Sequence, residues 1–297
     1  MNSKKITIKR LVIYLLIAFI PFWIIIPVLN SIYGEPIFAC EKASAVVYAT
    51  GVFGMLIPSI AHLITRLVTK EGFKNAYLGL NFKGNAKYYI MSVAVKIVEV
   101  LIFVILVWLI FAGDLGFSEI FASDEMVKRT ATYLLQISVS IIVFFPAFGE
   151  EWGWRGYMMP KLTELMGRPA AIIVGGILWG LWHAPLTISG HNFGVDYEFF
   201  PWLGIAIMCV FCTFMNAFLT LLTEKTKSIY PASFCHMINN NCGGIIFISL
   251  FGSETMIEKI TAVPSINLML CMLITSAIVG IISYIILIKE DLKKKNQ

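Results

Sequence analysis

Glu150, Glu151 and Arg155 close an apolar stretch that begins near Tyr133, in the run EEWGWR. An ionised carboxylate at membrane depth costs on the order of several kcal/mol, so such residues pair, face a protein interior and carry function. On a helix Glu150 and Glu151 point about 100° apart, whereas Glu151 and Arg155, four residues apart, share a face. Glu151 is therefore neutralised locally as a structural clamp, and Glu150 is left for another partner. Two imidazoles accompany them: His183 in WGLWHAP, one turn after Trp179 and just before Pro185, and His236 in FCHMINNN, four residues before Asn240.

A carboxylate beside an imidazole can take a proton from water, while imidazolium or amide N–H groups stabilise the oxyanion formed when water attacks a carbonyl. Hydrolysis is the chemistry these groups suggest. The same atoms offer a second use, with His183, His236 and Glu150 as three zinc ligands and water as the fourth. HExxH and other standard zinc motifs are absent, and spacing alone leaves both chemistries open.

The elements that must position these groups are transmembrane helices. Of 297 residues 58% are hydrophobic and 14% charged, against roughly 25% charged in an ordinary soluble domain. The expected fold is all-α and polytopic, a single integral membrane domain over 1–297. Apolar runs of about 20 residues give eight transmembrane helices, at 11–30, 43–65, 88–112, 133–157, 170–189, 201–222, 230–251 and 266–288. The first follows Lys4, Lys5, Lys9 and Arg10 like a signal peptide, but its apolar run is too long and no small-residue cleavage site follows, so it is expected to remain as an anchor. Eight spans put both termini on one side. That side holds every Lys and Arg except Lys42, Lys96, Lys128, Arg129 and Lys259, so both termini are expected in the cytoplasm of a cell-membrane protein. The net charge of +5 then follows from topology and does not indicate a nucleic-acid partner.

At ~1.5 Å per residue, Glu150 lies roughly 10 Å from its cytoplasmic edge, His236 roughly 9–14 Å and His183 roughly 18–20 Å. The three are expected to meet in the inner half of the bilayer, in a polar cavity within the bundle open to the cytoplasm, with Pro146 and Gly149 kinking the fourth span. Blander assignments go to the rest. Trp152, Trp154, Trp179 and Trp182 read as packing or interfacial aromatics. Lys96 and Glu99 read as a mutual ion pair. His62, and His191 with Asp196 and Glu198, read as solvated or interfacial and apart from the site. Cys209 and Cys212 form a CxxC in mid-span with no second pair, which is expected to be helix packing.

FGEEWGWRGYMMPKL, WGLWHAP and SFCHMINN resemble, in order, the three motifs of the CAAX protease and bacteriocin-processing family, related to the type II CAAX prenyl endopeptidases: EExxxR, an aromatic four residues before His, and HxxxN. PSIAHLITRLVTKEGFKNAYLGL also resembles the segment before the family's core, so the likeness covers about residues 55–250. The resemblance implies an eight-helix intramembrane endopeptidase of glutamate type. Glu150 would activate water with His183, His236 and Asn240 would form the oxyanion site, and Glu151, Arg155 and Trp179 would support them. It implies no cofactor, with zinc as the alternative. The implied partners are the lipid bilayer and a substrate that is a leader peptide, a signalling peptide or a membrane-protein segment.

Two other functions fit the same residues. One is a non-catalytic bacteriocin immunity or binding membrane protein. The other is a transporter with Glu150, His183 and Lys96 as a proton path, which the absence of inverted repeats disfavours.

Overall fold

The computed structural model describes residues 3–121, 125–139 and 144–295, and among these every regular element is a helix. The chain opens with α1 (Ser3–Tyr33), which at ~1.5 Å per residue is longer than the bilayer's hydrocarbon core. One stripe of it, Leu11, Tyr14, Ala18, Phe22 and Ile26, is buried at three- and four-residue spacing. The opposite face exposes Val12, Leu16, Ile20 and Ile24, as a helix with protein on one side and lipid on the other requires. Next come α2 (Ser44–Gly54), α3 (Ile57–Val68), α4 (Ala86–Phe111), α5 (Met126–Val139), α6 (Phe144–Gly153), α7 (Met159–Met166), α8 (Arg168–Trp182) and α9 (Ala184–Ile188). The remainder is α10 (Trp202–Thr226), α11 (Tyr230–Asn241), α12 (Gly244–Phe251), α13 (Glu254–Thr261) and α14 (Ser265–Lys295).

Five stretches are long and apolar enough to cross a membrane: Ser3–Tyr33, Glu41–Val68, Ala86–Phe111, Trp202–Thr226 and Ser265–Lys294. Two bent pairs, α5 with the run from α6 to α7 (49°) and α11 with α12 (48°), bring the number to seven if each is one span. The remaining expected span, the fifth at 170–189, is instead split. α8 has 15 residues and stops at His183, where Pro185 starts the five-residue α9. The middle of the expected fourth span, 140–143, lies outside the described residues. The 49° bend in this expected span falls at the break between Val139 and Phe144, just before Pro146. Pro146 and Gly149 themselves lie within α6, and a π turn follows at Trp154–Met158, directly after Gly153.

The centre of the bundle is α10, two-thirds buried along its most apolar stretch. α8 lies against it through Gly176 and Gly180, where an added Cβ would run into the backbone of Thr213 and Cys209. Small residues four apart let two helices approach this closely in lipid. This explains the CxxC: Cys209 sits at the helix contact, Cys212 is buried, and both are free thiols.

Several charges are tied down inside this frame. Lys96 and Glu99 in α4 form the expected ion pair, Nζ to Oε2 2.5 Å, nearly inaccessible to solvent. At the lysine-rich end, the Glu71 carboxylate receives Tyr157 Oη at 2.9 Å, Arg10 Nε at 3.3 Å and the Lys161 ammonium. Burial pushes Glu71 up, but the Lys161 and Tyr157 hydrogen bonds outweigh it and hold its carboxyl below the usual range. His62, expected at an interface, is fully buried: Arg66 Nε donates to its Nε2, and its Nδ1–H donates to the Trp152 carbonyl at 2.9 Å.

Two outcomes follow. Glu99→Ala strands a buried ammonium and is expected to lower stability by about 3–5 kcal/mol, whereas Lys96→Met/Glu99→Leu is near-neutral or stabilising; thermal unfolding in detergent reads both. A carboxyl held low contributes stability that is present at neutral pH and lost as pH falls below about 4.3 and through its folded value. Glu71→Gln should therefore flatten the acid limb of a stability–pH profile, with the loss relative to the parent largest at neutral pH and vanishing in acid.

Candidate active site

α6 reaches the site because two glycines let it press on α3. A Cβ at Gly149 would meet Met55 and Leu56, and one at Gly153 would meet the backbone of Pro58. That contact fixes the turn bearing Glu150 and Glu151, both buried.

The two carboxylates have different partners. Glu151 Oε1 takes Arg155 Nη1 at 2.9 Å and His236 Nδ1 at 2.8 Å, so one oxygen joins α6 to α11. Arg155 in turn lies over the Trp179 ring, 4.0 Å from guanidinium carbon to centroid, which ties α6 to α8. Among the described residues Arg155 Nε and Nη2 and Glu151 Oε2 have no hydrogen-bond partner. A buried pair so incompletely satisfied adds little net stability; what it does is hold His236.

Glu150 is held by indoles. Its Oε2 accepts Trp179 Nε1–H at 2.8 Å and Trp154 Nε1–H at 3.1 Å. Trp154 and Trp179, read from sequence as packing aromatics, are thus donors to a buried carboxylate. Trp154 carries a signal the sequence reading did not use, since it stands four residues after Glu150 as Arg155 does after Glu151. Trp182 is a packing aromatic in fact, stacked 4.4 Å from Phe22 with its N–H on the Ala18 carbonyl.

His183 caps α8, with Nδ1 2.9 Å from the Trp179 carbonyl oxygen. A carbonyl only accepts, so Nδ1 carries the proton and Nε2 presents a lone pair. For His236 the Glu151 carboxylate plays the same orienting part. Its ring stands edge-on to Trp179, 5.4 Å between centroids.

A cavity of about 490 Å³ joins these groups. Glu150, Trp179, His183, His236, Asn239 and Asn240 all line it, so the four residues expected to do chemistry share one space, while Glu151 and Arg155 stand behind it. His191, expected away from the site, lines it too, packed 4.6 Å from Phe38; burial pushes its imidazole down to about 4, which keeps it neutral. Among the described residues no three His, Cys, Asp or Glu side chains gather closely enough to hold a metal ion.

The cavity runs toward one end of the bundle. It is bordered by Phe38, His191 and Asn192, at the end of the bundle where Asn30 bonds Ser189 and Phe38 N–H bonds the Ser189 carbonyl. Arg168, Lys227 and Lys294 line a separate, larger cavity of about 700 Å³ at the other end, with Arg155 on its wall. That chamber contains no imidazole, and its Arg168 is neutralised by Glu224 at 2.8 Å and by Asp291. The smaller cavity therefore holds the candidate site residues, and it extends away from the lysine-rich end.

Residues 132–242 match the family model described as type II CAAX prenyl endopeptidase Rce1-like. A "CAAX prenyl protease 2" of Methanococcus maripaludis is 29% identical over 107 residues, which is 35% of this chain. The matched stretch is 39% of that protein, so the chain spans about two fifths of the curated relative's length. The likeness to the CAAX prenyl endopeptidases carried by the three sequence motifs is shown over this segment, and Glu150, His183, His236 and Asn240 all fall inside it. With its long apolar helices, this is a multi-pass membrane protein.

The two carboxylates should respond differently to removal. Glu151→Ala leaves Arg155 buried without its counter-charge and His236 without its acceptor, an expected loss of about 3–5 kcal/mol. Glu150→Gln keeps an oxygen for both indoles and should stay within about 1 kcal/mol of the parent. Thermal unfolding of the purified variants in one detergent checks the contrast.

Proposed function

We propose that this protein is an intramembrane endopeptidase of glutamate type. The observation that carries the reading is the shared cavity, which collects a carboxylate, two imidazoles and an amide from three helices. In this reading water sits between the Glu150 carboxylate and His183 Nε2. Glu150 takes its proton as the oxygen attacks the scissile carbonyl, and His183, already fixed as an acceptor, shares the proton. In this reading His236 acts as the imidazolium, with Nδ1–H on Glu151 and Nε2–H donating to the oxyanion, and Asn240 donates from its amide. The proton then passes to the leaving amine. Glu151, Arg155 and Trp179 keep these groups in place.

The mechanism as proposed uses no metal. The substrate class is a peptide or a membrane-protein segment, for which a prenylated CAAX peptide is the first probe because the matched relative is named for it. We further propose eight crossings, counting α8 and α9 together as one, with the lysine-rich end and both termini in the cytoplasm. The catalytic cavity then opens nearer the opposite face, in place of the cytoplasmic opening expected from sequence.

The test uses purified protein in liposomes with an internally quenched farnesylated CAAX peptide, alongside a comparison of the peptides that accumulate in cells carrying Glu150→Ala or the parent. Glu150→Ala and His183→Ala should each abolish cleavage, a loss of at least about 10³-fold for a positioned base, in protein that remains folded, and a chelator should leave the parent's rate unchanged. Cleavage persisting in purified Glu150→Ala would overturn the assignment.

A further inference from the structure

The Lys96–Glu99 pair lies in α4, outside the three motif helices, and the mechanism above leaves it unused. It is not isolated. Lys96 Nζ donates to Asn239 Oδ1 at 3.1 Å, and Asn239 Nδ2 donates to Asn240 Oδ1 at 3.1 Å. Asn239 borders both the catalytic cavity and a small one lined by Lys96 and Glu99.

We propose that Lys96, acting through Asn239, is a positioning residue that fixes which end of the Asn240 amide faces the reacting carbonyl. The reason lies in donor and acceptor types. An ammonium only donates, so Asn239 must turn its oxygen toward Lys96 and its NH2 toward Asn240. That NH2 in turn can only donate, so Asn240 offers it Oδ1 and keeps its own NH2 for the cavity. A reversed Asn240 would present a partial negative charge to a developing oxyanion, which opposes the transition state. The buried charge in α4 thus sets a polarity two amides away, and Glu99 at 2.5 Å supplies the neutralisation that lets the ammonium remain there. A bare amide pair could adopt either orientation.

The inference rests on the proposed role of Asn240, and the experiment separates the two. Asn239→Asp still accepts from Lys96 but has no N–H for Asn240. In the farnesylated-peptide assay it should lower kcat about 10- to 100-fold, up to the range for loss of an oxyanion donor, with KM unchanged and no drop in thermal midpoint. Lys96→Arg, which keeps a charged donor beside Glu99, should retain most of the activity. Lys96→Met/Glu99→Leu, folded but without the charge, should lose kcat as Asn239→Asp does, and it decides the matter if Asn239→Asp is unstable. Parent-like kcat in Asn239→Asp or in the double variant, or an effect confined to KM, overturns the relay while leaving the protease reading intact if Asn240→Ala is inactive. Parent-like kcat in Asn240→Ala, or no cleavage by the parent, overturns the underlying reading and the relay with it.

Discussion

The structure depends on a single carboxylate oxygen. Glu151 Oε1 receives both Arg155 and His236, and the Arg155 guanidinium lies over the Trp179 ring, so α6, α8 and α11 are joined by polar contacts and by an aromatic face. In lipid no hydrophobic force drives helices together, and close packing and interhelical polar contacts do that work. Removing this contact would unpair Arg155 and free the His236 ring, while the glycine contacts of α8 with α10 and of α6 with α3 remain.

Adjacent residues of identical chemistry are thereby given separate jobs. Glu151 is neutralised by Arg155 and faces the protein. Glu150, rotated by about 100°, is held by two neutral N–H donors and faces the cavity. A carboxylate that has hydrogen bonds but no fixed counter-charge keeps its capacity to accept a proton, which is what a general base needs. The glycines at 149 and 153 make this geometry possible by letting α6 rest on the backbone of α3.

What was legible in the sequence was local. The clamp of Glu151 with Arg155 and the pair of Lys96 with Glu99 follow from three- and four-residue spacing, and both are present. The gathering of Glu150, His183 and His236 was expected from depths in the same half of the bilayer, with Asn240 one turn beyond His236. What was missed depends on neighbours from other helices. The donation of Trp179 to Glu150 needs the angle between α8 and α6, and the burial of His62 needs α3 against the Trp152 carbonyl. His191 joins the cavity only because the chain folds back after α9 onto Phe38. The depth estimate assumed straight helices, whereas α8 ends at His183 and α9 begins beside Pro185. Depth counting also could not give the end toward which the cavity runs, because it places side chains along a helix axis and says nothing of the empty space between axes.

The account's central claim is that Glu150 and His183 share a wet pocket in which a water molecule can be deprotonated. A high-resolution experimental structure of the protein in lipid tests it most directly. The account predicts an ordered water bridging the Glu150 carboxylate and His183 Nε2, in a cavity that also reaches His236 and Asn240. A carboxylate turned away from both imidazoles, or closely packed apolar side chains filling the space between them, would contradict it.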